Sequence, residues 1–99
     1  MKEKDIQNAI LHYLQLRWHF HWRNNTGAFK AEHGSFVRFG TPGSPDIFVL
    51  KDGLLIGIEV KTPEGRVSKD QEAFGKRMEL AGGKYLVARS VEDVMDAGL

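Results

Sequence analysis

Two acidic residues, one on each side of a predicted turn, are the residues of this chain best suited to chemistry. Asp46 precedes an apolar run that ends at Leu50, and Glu59 follows a second run that begins at Leu54. Between the runs lies Asp52-Gly53, a pair typical of two-residue hairpin turns because both turn residues need positive φ. The resulting register predicts that the two acids face each other across the strands, with Cβ atoms about 4.5–5.5 Å apart.

The chemistry of such a pair is that of a divalent metal site. Two carboxylates this close repel each other unless a cation or a shared proton lies between them. Oxygen ligands of this kind suit a hard ion such as Mg²⁺ or Mn²⁺. Lys61 lies two positions beyond Glu59, so its side chain is expected on the same side. It would position or deprotonate a water molecule and offset charge in a transition state. A salt bridge to Glu59 is the structural alternative, and the two roles are compatible.

The elements before the hairpin are predicted from periodicity. Apolar residues at helical spacing favour a helix over 3–17, and Glu3 falls on its inward face. Alternating aromatic residues favour a strand over 18–23, with Trp18, Phe20 and Trp22 on one side. Residues 24–27 carry a turn signal, and 28–44 are interpreted as a loop with at most one short strand.

The elements after the hairpin are predicted from capping signals. Ser68 and Gln71 form a capping-box pattern that opens a helix through about Leu80. A strand follows over 84–89, and Ser90 caps a last short helix. The hairpin strands are apolar on both faces, which favours a position inside a sheet covered by helices. Gly57 indicates either a bulge or a close approach in the second strand. The order of elements predicts one α/β domain over 1–99 with a mixed sheet.

Composition excludes some classes of site. The 99 residues include no cysteine, so neither disulfides nor thiolate metal sites can form. No long apolar segment is present, and we expect neither a signal peptide nor a membrane span. The net charge of +1 hides a mild asymmetry, since residues 1–44 carry six Lys or Arg against three acids. That bias suits a polyanion but also an ordinary charged surface. A core this small would gain stability from a partner subunit.

The motifs resemble those of a known nuclease superfamily. Pro45-Asp46, followed after twelve residues by Glu59-Val60-Lys61, resembles the PD-(D/E)XK signature. Within that superfamily the chain resembles the VRR-NUC family (virus-type replication-repair nuclease) over nearly its whole length. The residues that carry this resemblance are Glu3 with Ile6-Gln7, the segments 22–27 and 43–46, and Ser68 with Gln71.

The resemblance implies a fold, an activity and a set of site residues. It implies a restriction-endonuclease-like core, a mixed β-sheet flanked by helices, that hydrolyses phosphodiesters with Mg²⁺ or Mn²⁺. Small stand-alone relatives imply a homodimer that cuts branched DNA, such as four-way (Holliday) junctions, in the cytoplasm of a bacterial or phage-infected cell. Asp46, Glu59 and the Val60 backbone carbonyl would bind the metal, with Glu3 as a possible third carboxylate. Gln71 would line the active site. The structural alternatives are a favourable interaction of Glu3 with its helix N-terminus and a purely capping Gln71.

Other residues are weaker candidates for binding. Five cations are candidate phosphate contacts, although each by itself is more often a solvated surface charge: Arg23, Lys30, Arg38, Arg66 and Lys69. His19 and His21 have zinc-like spacing but no matching partner pair. The aromatic residues of 18–22 suit either base stacking or a core or dimer interface.

Three alternatives to a junction-cutting nuclease remain open. The same core could act on flaps, plain duplex or RNA. A non-catalytic nucleic-acid-binding module could keep the fold, although it would have little reason to retain inward charges. A hydrolase of small phosphorylated molecules is a third alternative. The chain shows no glycine-rich phosphate cradle, and we expect no nucleotide cofactor.

Overall fold

A computed structural model describes all 99 residues and contains six strands and three helices. Their bounds in chain order are α1 (Glu3–Leu16), β1 (Phe20–Arg23), β2 (Gly27–Lys30), β3 (Phe36–Phe39), β4 (Ile47–Lys51), β5 (Leu54–Val60), α2 (Lys69–Leu80), β6 (Lys84–Ala88) and α3 (Val91–Asp96). The main sheet has the order β1-β4-β5-β6, and only the β5–β6 pair is parallel. The α/β fold with a mixed sheet flanked by helices is therefore confirmed.

The central hairpin has the predicted register. Lys51 pairs with Leu54, and the ladder continues without interruption to Ile47 and Ile58. Asp52 and Gly53 have φ values of 52° and 80°, as a two-residue turn of this type requires. One further step of the same register sets Asp46 opposite Glu59, at the end of the hairpin farthest from the turn.

Gly57 marks a close approach rather than a bulge, since the ladder runs through it unbroken. A Cβ atom at this position would lie 2.5 Å from Cγ of Pro45. Pro45 is fully buried and directly precedes Asp46. The missing side chain of Gly57 thus makes room for the segment that brings Asp46 to the sheet.

The hydrophobic core lies on one face of the main sheet. Ile6, Ile10 and Leu14 recur at helical spacing along α1, and Val94 comes from α3. They pack against alternate residues of the strands, namely Ile47, Val49, Ile56, Ile58, Val60 and Ala88. The apolar residues that repeat every 3.6 positions in the helix and every 2 positions in the strands therefore point into the same core.

The opposite face of the sheet is covered only in part. Helix α2 packs on β6, where a Cβ at Gly75 would lie 2.6 Å from the Tyr85 ring. The half formed by β1 and β4 has no helix over it. Large residues of this half are exposed, as is Leu55 beside them on β5, and we call this set the bare face: Phe20, Trp22, Leu50 and Leu55. The prediction that both faces of the hairpin are buried is therefore wrong for this half.

Trp18 does not belong to the predicted strand. It follows α1 with a φ of 61° and is 94% exposed. The amide of His19 donates to the Leu14 carbonyl and that of Trp18 to the Gln15 carbonyl, which is the pattern of a Schellman motif. The aromatic alternation concealed this helix end because a tryptophan occupies the left-handed position usually held by glycine. Phe20 and Trp22 do share one face, as predicted.

The prediction of a loop over 28–44 is also wrong in part. Strands β2 and β3 form a separate antiparallel pair that joins Gly27 with Phe39 and Lys30 with Phe36. Strand β2 reads Gly-Ala-Phe-Lys and β3 reads Phe-Val-Arg-Phe, so neither shows a regular alternation of apolar and polar residues in the sequence. We call residues 27–39 the arm.

The predicted helix caps are confirmed. The Ser68 amide donates to Oε1 of Gln71 at 2.8 Å, and the Gln71 amide donates to Oγ of Ser68 at 3.2 Å. Oγ of Ser90 likewise accepts from the Asp93 amide at 3.2 Å. None of the helices is both long and apolar enough to cross a membrane.

Candidate metal centre

Three carboxylates from three separate elements meet at the open end of the hairpin. Glu3 is the first residue of α1, Asp46 directly precedes β4, and Glu59 lies near the end of β5. One oxygen from each lies within 4.8 Å of the others. Glu3 is exposed, Asp46 is half-buried and Glu59 is buried, so the cluster is open on one side. The geometry allows this triad to hold a metal ion.

Backbone groups fix the position of Asp46. Its Oδ2 accepts a hydrogen bond from the Val60 amide at 2.7 Å, so the carboxylate bridges the two strands of the hairpin. The backbone carbonyl of Asp46 accepts a hydrogen bond from the backbone N–H of Asn24, also at 2.7 Å. One oxygen of the carboxylate is thereby oriented.

Asn24 holds the segment that leads into Asp46. Its Nδ2 donates to Oγ of Ser44 at 2.8 Å and to the Pro45 carbonyl at 2.9 Å. From the sequence, Asn24 is part of a motif but has no assigned role. The available signal was a side-chain amide immediately after a strand, since asparagine at such positions often bonds to nearby backbone.

Glu59 is the most perturbed group of the cluster. Its side chain is 2% exposed, and Oε1 has no hydrogen-bond partner within the chain. Burial, followed by a hydrogen bond with Asp46 and the charge of Asp46, raises the pKa of Glu59 to about 9. The positive charge of Lys61 lowers this pKa and the negative charge of Glu3 raises it, both by less. Without a cation, Glu59 is therefore protonated at neutral pH.

The donor set fits a hard divalent cation. All three candidate ligands are carboxylate oxygens, which Mg²⁺ and Mn²⁺ prefer. The unpartnered Oε1 of Glu59 adds a second argument, because a buried polar atom normally has a partner. A cation would satisfy that atom and would remove the repulsion between the carboxylates.

Glu3 is not used for capping its own helix. The Lys2 amide donates to Oδ2 of Asp5 at 3.1 Å, so Asp5 supplies the capping carboxylate. Glu3 instead reaches the other two acids. This arrangement favours the metal-site role of Glu3 over the interaction with the helix N-terminus, although its charge is favourable there as well.

Lys61 and Gln71 lie outside the three-acid cluster. Lys61 is half-buried just beyond β5, and its amide donates to the Ala88 carbonyl at 3.0 Å. Its positive charge lowers the pKa of Glu59. The side-chain oxygen of Gln71 is committed to the Ser68 amide, so the capping alternative accounts for that atom.

Tyr85 on β6 is a neighbour that the sequence analysis missed. It pairs with Gly57 and lies on the same face of the sheet as Glu59. Its hydroxyl is buried without a partner, and burial together with the charges of Glu59 and Asp46 raises its pKa. In the sequence it resembled an ordinary core residue of an apolar strand, and no local signal indicates its buried hydroxyl.

The candidate phosphate contacts are all exposed but lie on different elements. Arg23 ends β1, Lys30 and Arg38 lie on the arm, Arg66 lies in the loop after β5, and Lys69 begins α2. Their exposure suits both a phosphate contact and a solvated charge. They therefore remain predictions.

Each of the two histidines contacts a backbone oxygen through one ring nitrogen. Nε2 of His19 lies 2.7 Å from the Leu99 carbonyl, and Nδ1 of His21 lies 2.7 Å from the His19 carbonyl. Both side chains are engaged with backbone oxygens. Neither belongs to the cluster of metal-binding side chains.

Comparison with models of known protein families gives no match, and comparison with curated proteins gives none either. The family resemblance therefore stays a prediction, and the function has to be inferred from the geometry.

Proposed function

We propose that the protein is a Mg²⁺- or Mn²⁺-dependent DNA endonuclease with a restriction-endonuclease-like core, of the VRR-NUC type within the PD-(D/E)XK superfamily. One observation carries this proposal. The buried Glu59, whose Oε1 has no hydrogen-bond partner, shares an all-oxygen cluster with Asp46 and Glu3, and the charge of Lys61 acts on it. A buried carboxylate in an otherwise apolar strand is costly unless it is paired, and a cation would pair it.

The placement of the motif residues supports the superfamily assignment. Asp46 directly precedes the first strand of the hairpin, Glu59 and Val60 end the second, and Lys61 directly follows it. The first helix brings Glu3 to the same point. Glu3, Asp46 and Glu59 therefore meet at one end of one hairpin, although they are far apart in the sequence.

Each residue has a distinct proposed role. Asp46, Glu59 and the Val60 carbonyl hold the ion, and Glu3 contacts it directly or through water. When bound, the ion would polarise the scissile phosphate and lower the pKa of an attacking water. Lys61 orients that water and offsets negative charge that develops on the phosphate. Gln71 keeps its capping bonds, and its remaining amide group contacts the water or the phosphate.

The proposed substrate is DNA, and branched DNA in particular. The acidic cluster is open at its Glu3 side, which suits a long polymer better than a small molecule. The exposed cations suit phosphates, and with them binding would depend strongly on salt. The preference for four-way junctions, the homodimer, the 5′-phosphate and 3′-hydroxyl ends and the location in a bacterial or phage-infected cell rest on the resemblance alone.

A cleavage panel tests the proposal. Labelled four-way junction, flap, nicked, single-stranded and linear DNA are incubated with Mg²⁺, with Mn²⁺ or with EDTA. We expect cutting only with a divalent ion and none by Asp46→Asn, which preserves the shape of the side chain. Cutting in EDTA would contradict the metal site. Metal binding without cutting of any DNA or RNA substrate would favour a non-catalytic module.

A further inference from the structure

The arm contributes no residue to the proposed catalytic site. All eight residues of β2 and β3 are exposed, and the two strands pair only with each other. A two-stranded hairpin by itself is marginally stable at best in water. An arm of this kind therefore gains from a binding partner.

The two faces of the arm differ in character. One face carries Phe29, Val37 and Phe39, and the Phe39 ring lies over Gly27, at 2.9 Å from the position of a Cβ there. This face partly covers itself, since the Phe29 and Phe39 rings lie 6.4 Å apart. The other face carries Lys30, Arg38 and Phe36, because their cross-strand pairs alternate with those of the first face. We call it the cationic face.

The base of the arm is fixed beside the acidic cluster. Asn24, three residues before β2, bonds to Ser44, Pro45 and the backbone of Asp46. At the other end, Gly40 has a φ of +78° and packs against Thr26, since a Cβ at Gly40 would lie 2.7 Å from the Thr26 methyl group. The Asn24 end of the arm is thus held at Asp46, and the Gly40 contact keeps the two ends of the arm together.

The dimensions of the arm suit a nucleic-acid groove. At about 3.3 Å per residue, a four-residue strand extends for about 13 Å. A two-stranded ribbon is one of the elements that the major groove, about 12 Å wide, admits. A DNA strand bound at the acidic cluster would run past the base of the arm, because Asn24 holds that base at Asp46.

Charge distinguishes a nucleic acid from a second copy of the chain as the partner. Between residues 24 and 45 the only acid is Glu32, in the turn at the tip. Lys30 and Arg38 therefore have no acidic neighbour on their face. Two copies that met through this face would bring like charges together, which is unfavourable, whereas phosphates complement them.

We propose that the arm is a DNA-binding ribbon, in which Lys30 and Arg38 contact phosphates beside the scissile bond and Phe36 packs against the sugar or base between them. This inference rests on the proposed function, because it assumes that the substrate of the acidic cluster is DNA. Its new content is the surface that holds the substrate. The apolar face of the arm is left to its own packing.

The test compares two double variants with the same charge change. Lys30→Gln/Arg38→Gln alters the cationic face, and Arg17→Gln/Lys76→Gln removes one arginine and one lysine that are also exposed but lie at the end of α1 and in α2. Binding of a labelled DNA duplex is measured in EDTA over a range of salt concentrations. Each lost phosphate contact lowers the salt slope of log K by about 0.9. We expect a decrease of about 1.8 for the arm variant and little change for the control.

A third variant separates stacking from charge. Phe36→Ala should weaken binding severalfold but leave the salt slope unchanged, because phenylalanine carries no charge. All variants should bind Mn²⁺ in calorimetry as the unaltered protein does, because none of them alters the acidic cluster.

If the arm variant binds DNA as the control does, while Mn²⁺ binding and cleavage persist, the inference is wrong and the nuclease proposal stands. If Phe36→Ala or the arm variant changes the molar mass in light scattering instead of DNA affinity, the arm is an interface between copies. If the unaltered protein binds neither Mn²⁺ nor DNA, both proposals fail.

Discussion

At the scale of single residues, Glu59 connects stability with the proposed function. Its carboxyl group is buried, lies next to Asp46 and has an oxygen without a partner. Because burial of an ionised carboxylate is costly, the buried group binds a proton and becomes neutral. Residues that are unfavourable for folding often mark functional sites. Glu59 is such a residue, and its titration makes the cost measurable.

The first prediction concerns pH. The folded pKa of Glu59 is raised from 4.5 to about 9, so between these values the folded protein holds a proton that the unfolded chain has lost. The bound proton stabilises the folded state fully at pH values below the pKa of Glu59 in the unfolded chain. The stabilisation is lost as the pH rises through the pKa of Glu59 in the folded protein. In EDTA, we expect the melting temperature to fall as the pH rises across this window. Glu59→Gln should flatten the fall and should raise stability at high pH by about 1–3 kcal/mol.

A divalent ion should reverse this dependence. Metal binding needs deprotonated carboxylates, so it becomes tighter as the pH rises and releases protons. Calorimetry in buffers of different ionisation enthalpy measures the proton release directly. Binding without proton release at neutral pH would show that Glu59 is already ionised, contrary to its predicted state. Glu59→Gln should bind no metal at the concentrations that saturate the unaltered protein.

The second prediction separates the role of Lys61 from that of the ligands. Lys61→Ala should keep Mn²⁺ affinity within a few-fold, since the lysine does not coordinate the ion. The single-turnover cleavage rate should fall by about 10²–10⁴, the usual contribution of a positioned acid–base or electrostatic group. The two measurements are made on the same preparation. An unchanged rate would assign Lys61 a structural role only.

At the scale of elements, the site depends on how the segment before β4 is held. Asn24 bonds to Ser44 and Pro45, and Pro45 packs into the space left by Gly57. These contacts place Asp46 where the Val60 amide can reach its carboxylate. Asn24 at the end of β1 and Gly57 in the middle of β5 therefore determine the position of Asp46, a candidate metal ligand that belongs to neither strand.

The third prediction tests this support. Asn24→Ala leaves the Pro45 carbonyl and the Ser44 hydroxyl without their donor, and we expect it to lower stability by about 1–3 kcal/mol. Metal affinity should fall by about 10–100-fold, as for other residues that orient ligands. Asn25→Ala is the matched control, because Asn25 is exposed and its side chain makes no hydrogen bond in the structure. Equal metal affinities in the two variants would mean that Asp46 does not depend on Asn24.

At the scale of the whole molecule, the bare face is an exposed apolar surface of the main sheet that no helix covers. Phe20 and Trp22 are 66% and 44% exposed and lie beside Leu50 and Leu55 on the same face. A groove of about 440 Å³ continues from it between α2 and the sheet, lined by Phe48, Leu55, Phe74 and Met78 among others. Contiguous apolar surface of this kind favours association, and two-fold dimers are the commonest form.

The fourth prediction is that the protein is a dimer through the bare face. Light scattering at micromolar concentration should give twice the chain mass of 11.2 kDa. Trp22→Ser should produce a folded monomer, because it removes the central aromatic residue of that face. Trp18→Ser is the control, since Trp18 is 94% exposed but lies at the end of α1 outside the bare face. A dimer that survives Trp22→Ser but not Trp18→Ser would move the interface to the helix end.

The sequence by itself determined those parts of the molecule that local rules control. Asp52-Gly53 set the turn, and the turn set the register that brings Asp46 opposite Glu59. Ser68 and Gln71 fixed the start of α2 through bonds only three residues apart. Interactions of this short range depend on the identity and spacing of neighbouring residues, so the order of these elements and the opposed acids could be predicted.

Only the tertiary structure decided the features that depend on distant partners. The arm forms because two short strands find each other, and Trp18 adopts a left-handed conformation because a helix ends there. The burial of Glu59 and the lack of a partner for its Oε1 result from packing of the whole hairpin. Glu3 joins the cluster because α1 packs on the sheet at that angle. The pattern and spacing of residues along the chain do not indicate which part of a sheet face lacks a covering helix. That depends on how many elements are available to cover the sheet.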